Sequence, residues 1–158
     1  MFREMRRFKQ QLSGAECADI LTRAPRGVMA LSGDGGYPYA VPLDFVYDAQ
    51  TNKLYFHCAA EGHKIDAMRR SDKVSFCVLD EGVPSGEDWS LYFKSVIVFG
   101  RLRMLTDRDE VIEKVRLLGL KYYPDAADVE AELRKDGARV QCLELTVEHM
   151  TGKRVHEK

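Results

Sequence analysis

Apolar positions along this chain recur with two periods, and the points where one gives way to the other mark its elements. Alternation, the period of a half-buried strand, predicts strands over residues 28–31, 37–47, 54–58, 73–79, 89–103 and 139–148. Over 37–47, Tyr39, Val41, Leu43, Phe45 and Tyr47 share one face, with Ala40, Pro42 and Asp44 on the other. Pro38 and Pro42 cannot donate to a ladder, so this strand is irregular or lies at a sheet edge. Its free backbone groups suit a planar ligand or an ordinary edge. Over 54–58, Leu54, Phe56 and Cys58 alternate with Tyr55 and His57. The run Val96, Ile97, Val98, Phe99 is apolar on both faces and calls for cover on both: the core on one side, a helix or a second subunit on the other. Over 139–148, Leu143, Leu145 and Val147 face inward and Glu144, Thr146 and Glu148 outward.

Helical spacing replaces alternation in four places. Residues 13–22 begin at Ser13 with Glu16 three places on, a reciprocal capping pair, and present Cys17, Ile20 and Leu21 on one face. Residues 107–123, capped by Thr106 or Asp107 and stopped by Pro124, carry Val111, Val115, Leu118 and Tyr122 on a stripe. Residues 128–135 form a short helix, and another follows Gly62, with Ile65 and Met68 inward and Asp66, Arg69 and Arg70 toward water. The SGDGG stretch at 32–36 is a hairpin turn; no G-K-[ST] follows it, so it is not a phosphate loop. Strands joined mostly by hairpins, without regular β-α-β alternation, predict a mainly β fold with peripheral helices, a closed or split antiparallel barrel.

Composition narrows the function. A chain of 158 residues, 45% hydrophobic and 31% charged, suits a single globular domain over 1–158. A formal net charge of -1 argues against general nucleic-acid binding. No apolar run approaches a membrane span, and no leader is legible, so a cytoplasmic protein that does not enter membranes is expected. Cys17, Cys58, Cys77 and Cys142 are widely spaced with no C-x-x-C, which reads as reduced thiols rather than disulfides or a zinc site. His57, Cys58 and His63 lie on disagreeing faces, so no metal site is expected.

The stretch LYFHCAAEGHKIDAMRR, residues 54–70, carries the candidate chemistry. His63 and Lys64 fall in the first turn of the helix, where the macrodipole is positive and cations are out of place. No Ser, Thr, Asp or Asn precedes them as a cap. An anion resolves the conflict, since bare N–H groups, a glycine for close approach and two cationic side chains make an anion site. The alternative is a solvated helix start whose boundary lies a residue or two away.

YPYAVPLDFVY, LYFHCAAEGHKIDAMRR, SVIVFGR and MTGK, in this order, resemble the pyridoxamine 5'-phosphate oxidase-like FMN-binding split barrels, most closely the 5-nitroimidazole-resistance reductase branch. The resemblance runs from Met5 to Lys153. It implies an antiparallel split β-barrel and a homodimer with FMN at the subunit interface, which gives the doubly apolar run 96–99 its second cover. By position, it assigns the phosphate to His63 and Lys64, and the passage of a strand backbone along the isoalloxazine ring to Tyr39, Ala40, Val41 and Pro42. His57 and Cys58 fall where a strand end meets the ribityl chain and flavin, and Ser95 where another strand reaches the ring. Two departures count against pyridoxamine phosphate oxidase activity itself: His63 replaces the usual arginine, and no Arg-containing segment for the vitamin's phosphate follows Met150.

The implied activity is an NAD(P)H-dependent flavin reductase passing electrons through FMN to a small oxidised acceptor such as a nitroaromatic, with His57 as the candidate catalytic side chain. No G-x-G-x-x-G is present, so the nicotinamide would visit an open flavin face. The rival reading is a non-enzymatic FMN or haem binder acting as sensor or carrier.

Overall fold

The computed structural model of the protein describes residues 1–84, 86 and 91–156. Residues 89 and 90 of the strand expected over 89–103 lie outside the described residues, as do 85, 87 and 88 of the preceding loop. The elements in chain order are α1 (Gly14–Arg23), β1 (Gly27–Ser32), β2 (Pro38–Leu43), β3 (Val46–Asp48), β4 (Lys53–Cys58), α2 (His63–Arg70), β5 (Lys73–Leu79), β6 (Val83–Pro84), β7 (Leu91–Met104), α3 (Arg108–Tyr122), α4 (Ala126–Asp136) and β8 (Gln141–His156).

Local chemistry explains the helix starts. Ser13 Oγ accepts the Glu16 N–H at 3.3 Å while the Ser13 N–H donates to Glu16 Oε2 at 3.0 Å, so α1 opens with the reciprocal cap. Asp107 and Asp125 cap α3 and α4 with their carboxylates. The second cap is why α4 starts ahead of the expected residue 128.

The strands form one antiparallel sheet in the order β2-β1-β5-β7-β8-β4-β3, with β6 alongside β7. The single strand expected over 37–47 is two. β2 pairs with β1 at one edge and β3 with β4 at the other, and only Asp44 and Phe45 lie between them. Seven strands laid flat at about 4.8 Å each would span roughly 29 Å. The three Cα steps from Leu43 to Val46 reach about 11 Å at most. The sheet therefore curls until its edges approach, yet among the described residues no ladder joins β2 to β3. This is a split antiparallel barrel.

The crossover is packed from inside and clamped from outside. Phe45 is fully buried and meets Phe76 edge-on with centroids 4.9 Å apart; Phe76 meets Phe56 likewise at 5.1 Å. Leu21 of α1 and Ile65 and Ala67 of α2 complete the same core. From α3, Lys121 Nζ donates to the Ala24 and Phe45 carbonyls at 2.7 and 2.9 Å. The Tyr122 hydroxyl accepts the Phe45 N–H at 3.0 Å and donates to the Pro25 carbonyl. A second, smaller core lies between α3 and the outer face of the sheet, where Val111 and Leu105 pack with Tyr55 and Cys142. Tyr55, alternating with the inward residues of β4, is thus buried as well.

The last strand runs well beyond the expected residue 148. MTGK, residues 150–153, lies in the second half of β8, in register with Val98 to Ser95 of β7. A bulge between Phe99 and Gly100 resets the register there. Gly152 is required because a Cβ would collide with Cys17 Sγ and the Leu12 side chain. Glu144 is buried, against expectation, and salt-bridged to Arg103 Nε at 2.7 Å and Lys53 Nζ at 3.0 Å. Burial pushes its pKa up, but the two cations outweigh that and hold the carboxyl below its ordinary value.

Two outcomes follow. Tyr122→Phe leaves the buried Phe45 N–H without its acceptor and is expected to lower stability in urea by about 1–3 kcal/mol. A group whose folded pKa is depressed contributes stability that is lost as pH falls through that value. Acid titration of stability is therefore expected to be flatter in Glu144→Gln than in the wild-type chain below the ordinary glutamate range.

Candidate functional site

Residues 59–62 carry the chain from β4 to α2, and Gly62 makes the turn. Its φ of 125° and ψ of 170° lie where an L side chain is strained. The Gly62 carbonyl accepts from the N–H groups of Ile65 and Asp66, at 2.8 and 3.1 Å, which starts the helix. No side chain caps it, and among the described residues nothing accepts from the N–H groups of His63 or Lys64. A Cβ at Gly62 would meet nothing within 4 Å, so the turn faces open space. Unpaired donors, positive dipole end and room for close approach are present together, which is the arrangement an anion needs.

A second segment reaches the same turn. The β1–β2 hairpin brings Asp34 Oδ2 to 3.5 Å from His63 Nε2 and Asp34 Oδ1 to 2.8 Å from Arg70 Nη2. The Tyr39 ring of β2 stacks on the His63 ring with centroids 4.0 Å apart. Lys64 forms no ion pair among the described residues, but its charge is felt by Cys58: burial raises the Cys58 thiol and Lys64 partly opposes it. Tyr39, Cys58, His63 and Lys64 are thereby brought into one neighbourhood. Asp34 and Arg70 belong to it too and were missed, because SGDGG reads locally as a turn and nothing in it signals a partner in α2.

The other expected residues are placed differently. Ala40 and Pro42 are exposed on the outward face of edge strand β2, whereas Val41 packs toward the core with Tyr39. His57 is exposed on the face of β4 opposite Cys58, in register with Cys142, and has no hydrogen bond, ion pair or ring contact with another described site residue. Ser95 of β7 pairs with Leu79 and Lys153 and lies three ladders from β2, roughly 14 Å at ordinary strand spacing. One chain does not close these residues around a ligand. A cavity of about 540 Å³ lies elsewhere, between Pro25 after α1, Asp80 and the start of β7 at Phe93 and Lys94.

Ala40, Pro42, His57 and Ser95 share the outward sheet face, and Val41 does not. Pro42, Val28, Cys77, Ile97 and Thr151 form one register row; Ala40, Ala30, Ser75, Phe99 and His149 form the next. Val96 and Val98 point into the core, while Val28, Ile97 and Phe99 are each 39% exposed. On these two rows the ring contacts among the described residues come from the N-terminal arm, with Phe2 stacked on His149 at 4.5 Å and tilted against Phe99 at 5.6 Å.

Residues 13–154 match the family model of pyridoxamine 5'-phosphate oxidase. The chain belongs to the pyridoxamine 5'-phosphate oxidase family. Every candidate residue lies inside the matched span. No curated protein matches the chain in sequence. Among solved structures, a candidate 5-nitroimidazole antibiotic resistance protein from Bacteroides thetaiotaomicron VPI-5482 is 22% identical, with a TM-score of 0.75 over 91% of this chain and 86% of that one. A FAD-binding protein from Mesorhizobium loti is 27% identical, with a TM-score of 0.63 over 93% and 98%. A FAD and haem binding protein from Mycobacterium smegmatis is 21% identical, with a TM-score of 0.75 over 94% and 74%. These likenesses establish the shared fold of the family, on which different chemistries are built.

Gly62→Ala tests the turn on its own. Although the new methyl group meets no atom, the strained backbone is expected to cost about 1 kcal/mol or more in denaturant unfolding.

Proposed function

We propose that this member of the pyridoxamine 5'-phosphate oxidase family is a homodimeric flavoprotein, an NAD(P)H-dependent reductase of small oxidised acceptors such as nitroaromatics. The observation that carries the reading is the uncapped, glycine-led start of α2, with two unpaired N–H groups beside Lys64 and the edge strand β2 close by. A flavin's phosphate end fits there, with its ring on the outward side of β2. FMN, the form implied by the resemblance, offers a terminal phosphate; FAD, which the Mesorhizobium loti neighbour binds, offers a pyrophosphate at the same place. A flavin held there by the N–H groups of His63 and Lys64 would supply hydride-accepting and electron-transfer chemistry.

The chain's own residues bind and orient. The N–H groups of His63 and Lys64 and the Lys64 ammonium hold the phosphate, and Tyr39 fixes the His63 ring. The exposed apolar side chains Val28, Ile97 and Phe99, on two adjacent register rows, support a second copy as the missing cover, and a site shared by two chains accounts for Ser95 lying three ladders from β2 within one chain. His57, exposed and unpaired, orients the acceptor or relays a proton to it. A haem-binding reading draws on the Mycobacterium smegmatis neighbour and would use an exposed histidine as axial ligand.

The spectrum of the protein as purified separates the readings. Flavin bands bleached anaerobically by NADPH or NADH are expected; flavin bands that both leave oxidised would make it a binder, and a Soret band would indicate haem. Lys64→Ala is expected to weaken flavin affinity about 10–100-fold, the range for a charged hydrogen bond, while Lys135→Ala on α4 leaves it unchanged. Equal affinity in the two variants would remove Lys64 from the site. His57→Ala with full flavin occupancy is expected to slow acceptor turnover, and light scattering of Ile97→Asp is expected to report a monomer.

A further inference from the structure

We infer that residues 1–12 are a basic amphipathic anchor that docks the protein on the surface of an anionic lipid bilayer. The inference goes beyond the flavin reading above and does not depend on it.

Apolar residues in this segment fall at helical spacing: Met1, Met5, Phe8 and Leu12 stand at i, i+4, i+7 and i+11. On a helix turning by about 100° per residue they share one side, with Phe2 and Lys9 at its margin, while Arg3, Arg6, Arg7 and Gln10 lie on the other. The structure nevertheless gives the segment only one 3₁₀ turn, Phe8–Gln10. So short a helix is marginal by itself and needs its apolar stripe buried. The protein's own fold does not bury it, since Phe8 is 68% exposed and Phe2 43%. The segment carries a helical pattern that the rest of the chain leaves unused.

Charge says what completes it. Arg3, Arg6, Arg7 and Lys9 are exposed and form no ion pair among the described residues. Glu4 is the one acid in the segment, so with the whole chain at -1 the remaining residues are net -4. An anionic surface repels such a body and attracts this segment, which confines the contact to one place. Each cation held near an anionic membrane is worth about fivefold in affinity. Sorting apolar and basic side chains to opposite sides suits a planar interface: the apolar side enters the headgroup boundary and the long basic side chains reach back to the phosphates. A single-stranded nucleic acid asks instead for aromatic and basic side chains on the same side.

The segment is rooted at one end. Leu12 is buried and its N–H donates to the Gly152 carbonyl at 2.9 Å, and Gln11 forms an antiparallel bridge with Lys153. Before that root, the ring contacts to the body are those of Phe2 with His149 and Phe99. A helix over residues 1–11 is about 17 Å long against roughly 30 Å of bilayer hydrocarbon, so it lies along the surface and does not span it.

The test is vesicle flotation of the full chain. Vesicles of phosphatidylserine mixed with phosphatidylcholine are expected to bind it about tenfold or more tightly than phosphatidylcholine alone, and raised salt to release it. Circular dichroism is expected to show helix gained on the mixed vesicles. Arg6→Glu with Arg7→Glu is expected to abolish the difference between the vesicles, whereas the same charge change on α4, Arg134→Glu with Lys135→Glu, preserves it. Phe8→Ser is expected to weaken binding about tenfold, while Phe8→Trp retains it and adds emission that shifts to the blue on the vesicles. Equal flotation with both vesicles, none with either, or binding indifferent to the substitutions in residues 1–12 overturns the inference. So does release from the vesicles by single-stranded RNA, which would make the segment a nucleic-acid contact. The substituted side chains are exposed, so the variants are expected to melt as the wild type does, and Phe8→Trp keeps the test decisive should another variant unfold.

Discussion

The architecture depends on the shortness of one connection. Two residues, Asp44 and Phe45, take the chain from one edge of a seven-strand path to the other, so the sheet has no option but to curl. Phe45 then sits where the core is tightest, ringed by Phe56 and Phe76, and its backbone N–H and C=O are turned away from any strand neighbour. Groups that are buried and polar must be paired, and Lys121 and Tyr122 at the end of α3 pair them. Helix α3 is in this sense the clasp of the barrel rather than an ornament on it.

Because the barrel stays split, β2 keeps a free edge, and α2 lies near it. The hairpin before β2 carries Asp34 to both ends of that helix, His63 at the first residue and Arg70 at the last. The candidate site is therefore assembled from two hairpin-like excursions of the chain, one supplying backbone donors and cations and the other an aromatic ring and a carboxylate. Its electrostatics are mixed rather than simply basic, in keeping with a chain of formal net charge -1. On the far side of β2, small residues such as Ala40 and Ala30 leave the outward face shallow, and the bulkier Ile97 and Phe99 raise it further along.

Much of this was legible in the residues themselves wherever the cause was local. The Ser13–Glu16 cap, the Gly62 turn, the edge character of the proline-bearing strand and the uncapped start of α2 each depend on neighbours a few positions away, and each formed as expected. Alternation in 37–47 correctly sorted faces: Tyr39, Val41, Leu43 and Phe45 turn to the core. It carried no information about partners, so it ran unbroken through the point where the strand changes sides. The second half of β8 escaped notice because Gly152 and its polar neighbours break the apolar rhythm, and the reason for that glycine, the approach of Cys17 and Leu12, comes from the other end of the chain.

The sequence by itself determined the helix starts, most strands with their inward faces, and the donors at α2's start, since propensity, capping and periodicity act over a few residues. Only the tertiary structure decided which strands are neighbours, that Asp34 meets His63 and Arg70, that Glu144 is buried between two cations, and that Ser95 lies three ladders from β2. Those are matters of which distant segments meet, and they are settled by closing the barrel through a two-residue link, a constraint on the whole chain that no local pattern contains.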